Sequence, residues 1–68
     1  MKKETMAICL AADEVTELED QCELHFDQIY ANYGKPGVDI QPYQAVFLEC
    51  CARRDAARVR LNNLISRY

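Results

Sequence analysis

Apolar residues in the first half of the chain recur at alternating spacings of three and four positions. This heptad rhythm, held over about three repeats, is typical of a helix packed along one side. Acidic residues on the opposite side indicate a face in contact with solvent. The pattern predicts a first helix over about residues 5–33. The packed row comprises Ile8, Ala11, Val15, Leu18, Cys22, His25 and Ile29, widened by Phe26 and Tyr33, and the acidic face comprises Asp13, Glu17, Asp20 and Asp27.

One break, which contains both glycines of the chain, follows this helix. Gly34 suits the position after a helix C-terminus, and Pro36 prevents the helix from continuing. Asp39 or Gln41 then begins a second helix. Asp39 is the better N-cap, and Pro42 is tolerated in the first turn, where its missing N–H costs nothing.

The heptad rhythm resumes after the break and predicts a second helix over about residues 40–67. Arg54 interrupts the row, but its aliphatic stem can cover apolar surface while the guanidinium reaches outward. Because the connection is short, the helices must run antiparallel. We therefore expect an all-α fold, a coiled-coil-like two-helix hairpin forming a single domain over residues 1–68. The second packed row comprises Tyr43, Phe47, Cys50, Ala57, Leu61, Leu64 and Tyr68, and the two packed rows together form the predicted seam.

The charges of the two predicted helices are complementary. From Glu4 to Gly34 there are eight acids and no lysine or arginine, whereas from Arg53 onward there are five arginines and one acid. Antiparallel pairing brings together residues whose numbers sum to about 72. This register predicts Arg53 and Arg54 near Glu19, Asp20 and Glu23, and Arg58 and Arg60 near Asp13, Glu14 and Glu17.

The second helix also has an apolar row on its far side, here called the outer row. A hairpin has only one inner seam, so a helix with two apolar sides predicts contact with another polypeptide. The small residues of the outer row would let another helix approach closely. The predicted partner-binding residues are Ala45, Leu48, Ala52, Ala56 and Val59.

No motif of a known catalytic class is present, and carboxylates on a convex helix face lack the cleft that active sites need. We therefore expect a binding protein and not an enzyme, with no catalytic residue and no cofactor. The net charge of −3 argues against nucleic acid as the main partner. The N-terminal mixed stretch is too short for a membrane span and lacks a signal-peptide cleavage site, so we expect a cytosolic protein without membrane contact.

The four cysteines admit more than one interpretation. In a cytosolic helical protein we expect reduced thiols that pack as small apolar side chains. Cys22 and His25 are three apart and the register places Cys50 opposite Cys22, so a zinc site with Cys51 or water as fourth ligand is an alternative. The paired-cysteine spacing of structural zinc sites is absent, and we assign no metal ligand. The same proximity allows an adventitious Cys22–Cys50 disulfide in oxidised preparations, which we expect to be an artefact in the cytosol.

Residues 31–68 resemble the small E-family co-chaperones of type III secretion needles. The first helix shares only length, acidity and pattern with that family. The chain departs from the family in its four cysteines and in Pro42. The residues that carry the resemblance are Asn32-Tyr33-Gly34-Lys35, Asp39, Gln41, Tyr43-Gln44, Leu48-Glu49, Ile65 and Arg67-Tyr68.

The resemblance implies a hairpin that pairs with a tetratricopeptide-like chaperone. In that family the heterodimer holds the amphipathic C-terminal helix of the needle subunit in the bacterial cytosol and prevents premature polymerisation. The tetratricopeptide partner makes most of the needle-subunit contacts, and the E protein stabilises that partner. A co-chaperone role is therefore the expectation for this chain.

Three other functions fit parts of the pattern. The outer row could join two copies into a homodimeric four-helix bundle, making the chain a self-associating adaptor. A phage-type protein that inhibits a host factor would have similar features. The zinc-binding module is the third alternative.

Overall fold

The computed structural model describes residues 2–67, which form two long α-helices joined by a short connection. Helix α1 spans Lys3–Asn32 and helix α2 spans Gln41–Arg67. The helices run antiparallel and pack along each other, so the predicted all-α hairpin is confirmed. Helix α1 begins two residues earlier than expected, at Lys3, where the Met6 N–H donates to the Lys2 carbonyl.

Helix α1 ends in a type II β-turn. Tyr33 leaves the helix with φ −63° and ψ 130°, and its N–H donates to the Ile29 carbonyl. Gly34 follows with φ +79°, a conformation that L-residues rarely adopt. The Lys35 N–H then donates to the Asn32 carbonyl at 3.2 Å and closes the turn. Gly34 thus occupies the position after the helix that the sequence predicts for it.

A second turn follows directly and delivers the chain to α2. Pro36 fixes φ at the first central position, Gly37 supplies φ +77° at the second, and the Val38 N–H donates to the Lys35 carbonyl. Both glycines are therefore required by backbone conformation and not by crowding, because a Cβ atom at either would meet no heavy atom within 4 Å.

Helix α2 begins at Gln41, whose N–H donates to the Asp39 carboxylate at 3.0 Å. Asp39 therefore lies outside the helix and caps its first amide, while Pro42 is the second helical residue, where its missing N–H is harmless. Of the two residues predicted to begin the helix, Asp39 therefore caps it and Gln41 is its first residue.

The seam follows the predicted rows. Within residues 2–67 every residue of the two packed rows except Phe26 and Tyr33 is buried or half-buried, as is Arg54, and Tyr68 lies outside the described residues. Phe26 and Tyr33 do not widen the packed row as expected, because they are 52% and 73% exposed. Phe26 follows the seam residue His25 on the flank of the seam, and Tyr33 lies beyond the last residue of α1. The fully buried seam side chains are Val15, Cys22, Cys50 and Ala57.

Two ion pairs fix the antiparallel register from outside the seam. Arg60 pairs with Glu14 as predicted, and Arg58 reaches Glu19 at 3.6 Å instead of the acids expected for it. All four side chains are about half exposed, so each pair contributes only about 0–1 kcal/mol.

The other two arginines are paired within α2 and not across the seam. Arg53 lies 2.7 Å from Glu49, and Arg54 lies 3.2 Å from Asp55. Within residues 2–67 neither guanidinium forms an ion pair with the α1 acids expected near it, because a carboxylate of α2 lies within reach of each.

The hairpin is long and thin, with extents of 54 × 16 × 11 Å. Its radius of gyration is 15.9 Å, whereas a compact domain of this length would have about 11 Å. Its accessible surface is 5355 Å², against about 4,400 Å² for a compact monomer of this mass. Among the described residues no large side chain is completely buried. The hairpin by itself therefore removes little apolar surface from water.

Candidate protein-binding face

The outer row lies on the side of α2 that points away from the seam. All five of its residues, Ala45, Leu48, Ala52, Ala56 and Val59, are exposed. The two large members are exposed to 65% (Leu48) and 58% (Val59). Because the seam is filled by other residues, α2 presents apolar side chains on two opposite sides.

Three residues of the outer row form a ridge of i, i+4 spacing along α2. Leu48 begins this ridge, and Ala52 and Ala56 continue it with side chains of a single carbon. Rows of this spacing are the ones that interdigitate when two helices pack at an angle. The small side chains leave a shallow path in which the backbone of another helix can approach α2 closely.

An apolar groove adjoins the outer row near the turn. Its volume is about 410 Å³, and Leu48 forms one of its walls. Phe26 and Phe47 meet across it, with ring centroids 5.8 Å apart and a tilt of 53°. The apolar surface of α2 is thereby continuous with an exposed aromatic ring of α1. The lining residues are Phe26, Ile29, Gln44, Phe47 and Leu48.

A charged groove adjoins the outer row on the opposite flank. Ala56 lines it, together with the Arg60 and Glu14 side chains that pair across the seam. The outer row therefore runs obliquely over α2, from an apolar groove beside Leu48 to a charged groove beside Ala56. The lining residues are Glu14, Glu17, Leu18, Gln21, Arg53, Ala56 and Arg60.

The charges that border the outer row neutralise each other within α2. Glu49 accepts a hydrogen bond from Arg53, and Asp55 accepts two from Arg54. The neighbouring carboxylate also raises the pKa of Arg54, which therefore stays charged. Such internal pairs lower the desolvation cost of covering this face, since these four charges would not be buried unpaired.

The outer face of α1 differs in its chemistry. The exposed acids Asp13, Glu17, Asp20 and Asp27 confirm the expected solvated side, and within residues 2–67 no ion pair joins them to a basic side chain. Leu10 and Leu24 are each 63% exposed on this face, but acids separate them. A protein surface that covers α2 would therefore meet an apolar path, whereas one that covers α1 would have to desolvate several unpaired carboxylates.

Sequence reasoning missed the groove beside Leu48. The signal is present, because Phe26 and Leu48 each follow a seam residue directly and so project to the same flank of an antiparallel pair. It also missed the exposed side chains Met6, Leu10, Leu24, Val46 and Ile65, which lie outside both predicted apolar rows.

The cysteines separate into one exposed thiol and a cluster of three. Cys9 is exposed on α1, while Cys22 and Cys50 face each other in the seam with their Sγ atoms 2.9 Å apart. Burial and the neighbouring Cys50 thiol raise the pKa of Cys22, and burial also raises the pKa of Cys51. Within residues 2–67 no three His, Cys, Asp or Glu side chains are arranged to hold a metal ion.

No known protein family, curated protein or solved structure matches the chain. Neither helix of the described chain has an apolar stretch long enough to cross a bilayer.

Proposed function

We propose that this hairpin is the small subunit of a cytosolic heterodimer and acts as a type III secretion co-chaperone. Its partner is a tetratricopeptide-like chaperone, and together they keep the needle subunit from polymerising. In this proposal the chain performs no catalysis. It supplies a helical surface that completes the partner.

The observation that carries the binding role is the exposure of the outer row. Leu48 and Val59 project to solvent from a helix whose opposite side already fills the seam. Tetratricopeptide-like proteins are built of stacked helices. The oblique ridge through Ala52 and Ala56 suits contact with such a helix.

The thin shape of the hairpin supports the same role. Only four side chains are buried among the described residues, so a partner that covers α2 would add apolar contact that the hairpin lacks. Support for the secretion system in particular comes from the resemblance over residues 31–68, together with the matching hairpin layout and turn position.

Co-expression with a candidate tetratricopeptide-like chaperone tests the proposal. Wild-type hairpin should co-purify with the chaperone and make it soluble. Ala52→Arg should abolish co-purification, because it places a long charged side chain in the path of the partner helix, and circular dichroism should show unchanged helicity.

Ala31→Arg is the matched control, since it makes the same change at an exposed alanine of α1. It should leave co-purification intact. Undiminished binding by Ala52→Arg would contradict the assignment of the outer row. Light scattering that shows a homodimer, lost in Ala52→Arg, would instead favour the self-associating adaptor.

A further inference from the structure

We propose that Cys22 and Cys50 form a reversible disulfide that locks the two helices together, with a low-molecular-weight disulfide such as oxidised glutathione as the oxidant. The inference concerns the seam of the hairpin and does not depend on the identity of the partner.

The two thiols are already placed for the reaction. Cys22 lies on α1 and Cys50 on α2, and their Sγ atoms are 2.9 Å apart, close enough for one thiol to donate to the other. Both side chains are buried, with 4% and 6% exposure. The fold has brought these two sulfur atoms together from positions 28 residues apart, so closing the bond requires only a small approach. The preceding attack on the small disulfide requires a local opening of the seam, because both thiols are buried.

The reaction balances as two successive thiol–disulfide exchanges. A thiolate of the pair first attacks the small disulfide, which forms a mixed disulfide on the protein and releases one small thiol. The second thiolate then attacks the protein sulfur of that mixed disulfide, and the second small thiol leaves. Two protein thiols are oxidised, one small disulfide is reduced, and the two thiol protons end on the released thiols.

The other two cysteines are less suited to this bond. Cys9 is exposed on α1 and belongs to no cluster. Cys51 is half-buried and directly follows Cys50, so its side chain projects from α2 about 100° away from that of Cys50. Cys51 also lies within reach of the Cys22 thiol, but it is Cys50 whose Sγ atom lies 2.9 Å from that of Cys22 across the seam.

The bond would join two of the four side chains that are buried within residues 2–67. A cross-link between the helices prevents them from separating when the chain unfolds, so it lowers the conformational entropy of the unfolded state. The thermal midpoint should rise by on the order of 10–20 °C for a loop of this size.

Equilibration of the full chain with oxidised and reduced glutathione tests the proposal. The oxidised monomer should lose two hydrogen atoms in mass and regain them with dithiothreitol. Cleavage after glutamate places Cys22 on fragment 20–23 and Cys9 on fragment 5–14, while Cys50 and Cys51 share fragment 50–68. Tandem mass spectrometry within that fragment distinguishes the two adjacent cysteines. The linked product should join fragment 20–23 to Cys50.

Cys50→Ser should abolish the intramolecular disulfide and the rise in midpoint, whereas Cys9→Ser should change neither. Tandem mass spectrometry of the linked wild-type fragments assigns the bond to Cys50 or Cys51 without any variant, so it decides the matter even if Cys50→Ser fails to fold. A disulfide to Cys51, stable glutathione adducts at Cys22, or an unchanged midpoint in the oxidised monomer would each overturn the proposal.

Discussion

Cys22 lies at the middle of the seam, and its surroundings determine the pH at which its thiol ionises. Burial raises the pKa of Cys22 first of all, and the hydrogen bond and charge of Cys50 raise it further. Cys51 and Arg54 oppose this shift but do not cancel it. The folded hairpin therefore binds the thiol proton more tightly than the unfolded chain does.

This shift predicts a loss of stability in alkaline solution. Because the pKa of Cys22 is higher in the folded than in the unfolded chain, the protonated thiol stabilises the folded state. This stabilisation is fully present below the unfolded pKa of about 8.5 and is lost as the pH rises through the folded pKa. Under reducing conditions the thermal midpoint should fall as the pH rises above about 8.5. Cys22→Ala should show a smaller fall, whereas Cys9→Ala, which alters an exposed thiol, should show the wild-type fall. If the thermal midpoint fell equally with pH in all three proteins, ionisation of Cys22 would not be the cause of the fall.

At the scale of the element, the two helices present outer faces of opposite character. Helix α1 presents unpaired acids, with Leu10 and Leu24 isolated among them, whereas α2 presents a continuous apolar row bordered by internally paired charges. This difference gives the hairpin one face suited to a partner and one suited to water.

A pair of leucines tests this difference directly. Leu48 on α2 and Leu10 on α1 are exposed to nearly the same extent, 65% and 63%. Leu48→Ala should weaken partner affinity by roughly tenfold or more, because it empties one wall of the groove beside Phe26. Leu10→Ala should leave affinity unchanged. Titration calorimetry measures both, and equal effects would show that simple exposure, not position, governs binding.

At the scale of the whole molecule, the hairpin has a high ratio of surface to buried core. Its accessible surface exceeds that of a compact monomer by roughly a fifth, and it buries few side chains. We therefore expect the isolated, reduced chain to be marginally stable, with partner binding as a main source of its stability.

Thermal unfolding at several partner concentrations checks this expectation. A partner that binds only the folded hairpin stabilises it by about 2.7 kcal/mol at one hundred times the dissociation constant, which corresponds to a rise of on the order of 10–20 °C. Ala52→Arg should abolish that rise, and Ala31→Arg should retain it. A high thermal midpoint that does not depend on partner concentration would contradict the expectation that partner binding is a main source of the stability of the hairpin.

The sequence by itself determined the two helices, the turn, the seam and the antiparallel register. These follow from local rules: heptad spacing specifies the packed side of each helix, and Gly34 and Pro36 specify where the first helix stops. A short connection leaves only one direction for the second helix. The location of the outer row followed in the same way, since residues of α2 that do not face the seam must lie away from it.

Only the tertiary structure decided which side chains meet. It brought the Sγ atoms of Cys22 and Cys50, which the register already placed opposite each other, to 2.9 Å. It also opened a groove between Phe26 and Leu48 and paired Arg53 and Arg54 within their own helix. These features depend on side-chain conformation and on the distance between the two helix axes. Periodicity specifies the face on which a residue lies, but it does not specify which of several neighbours within reach its side-chain atoms contact.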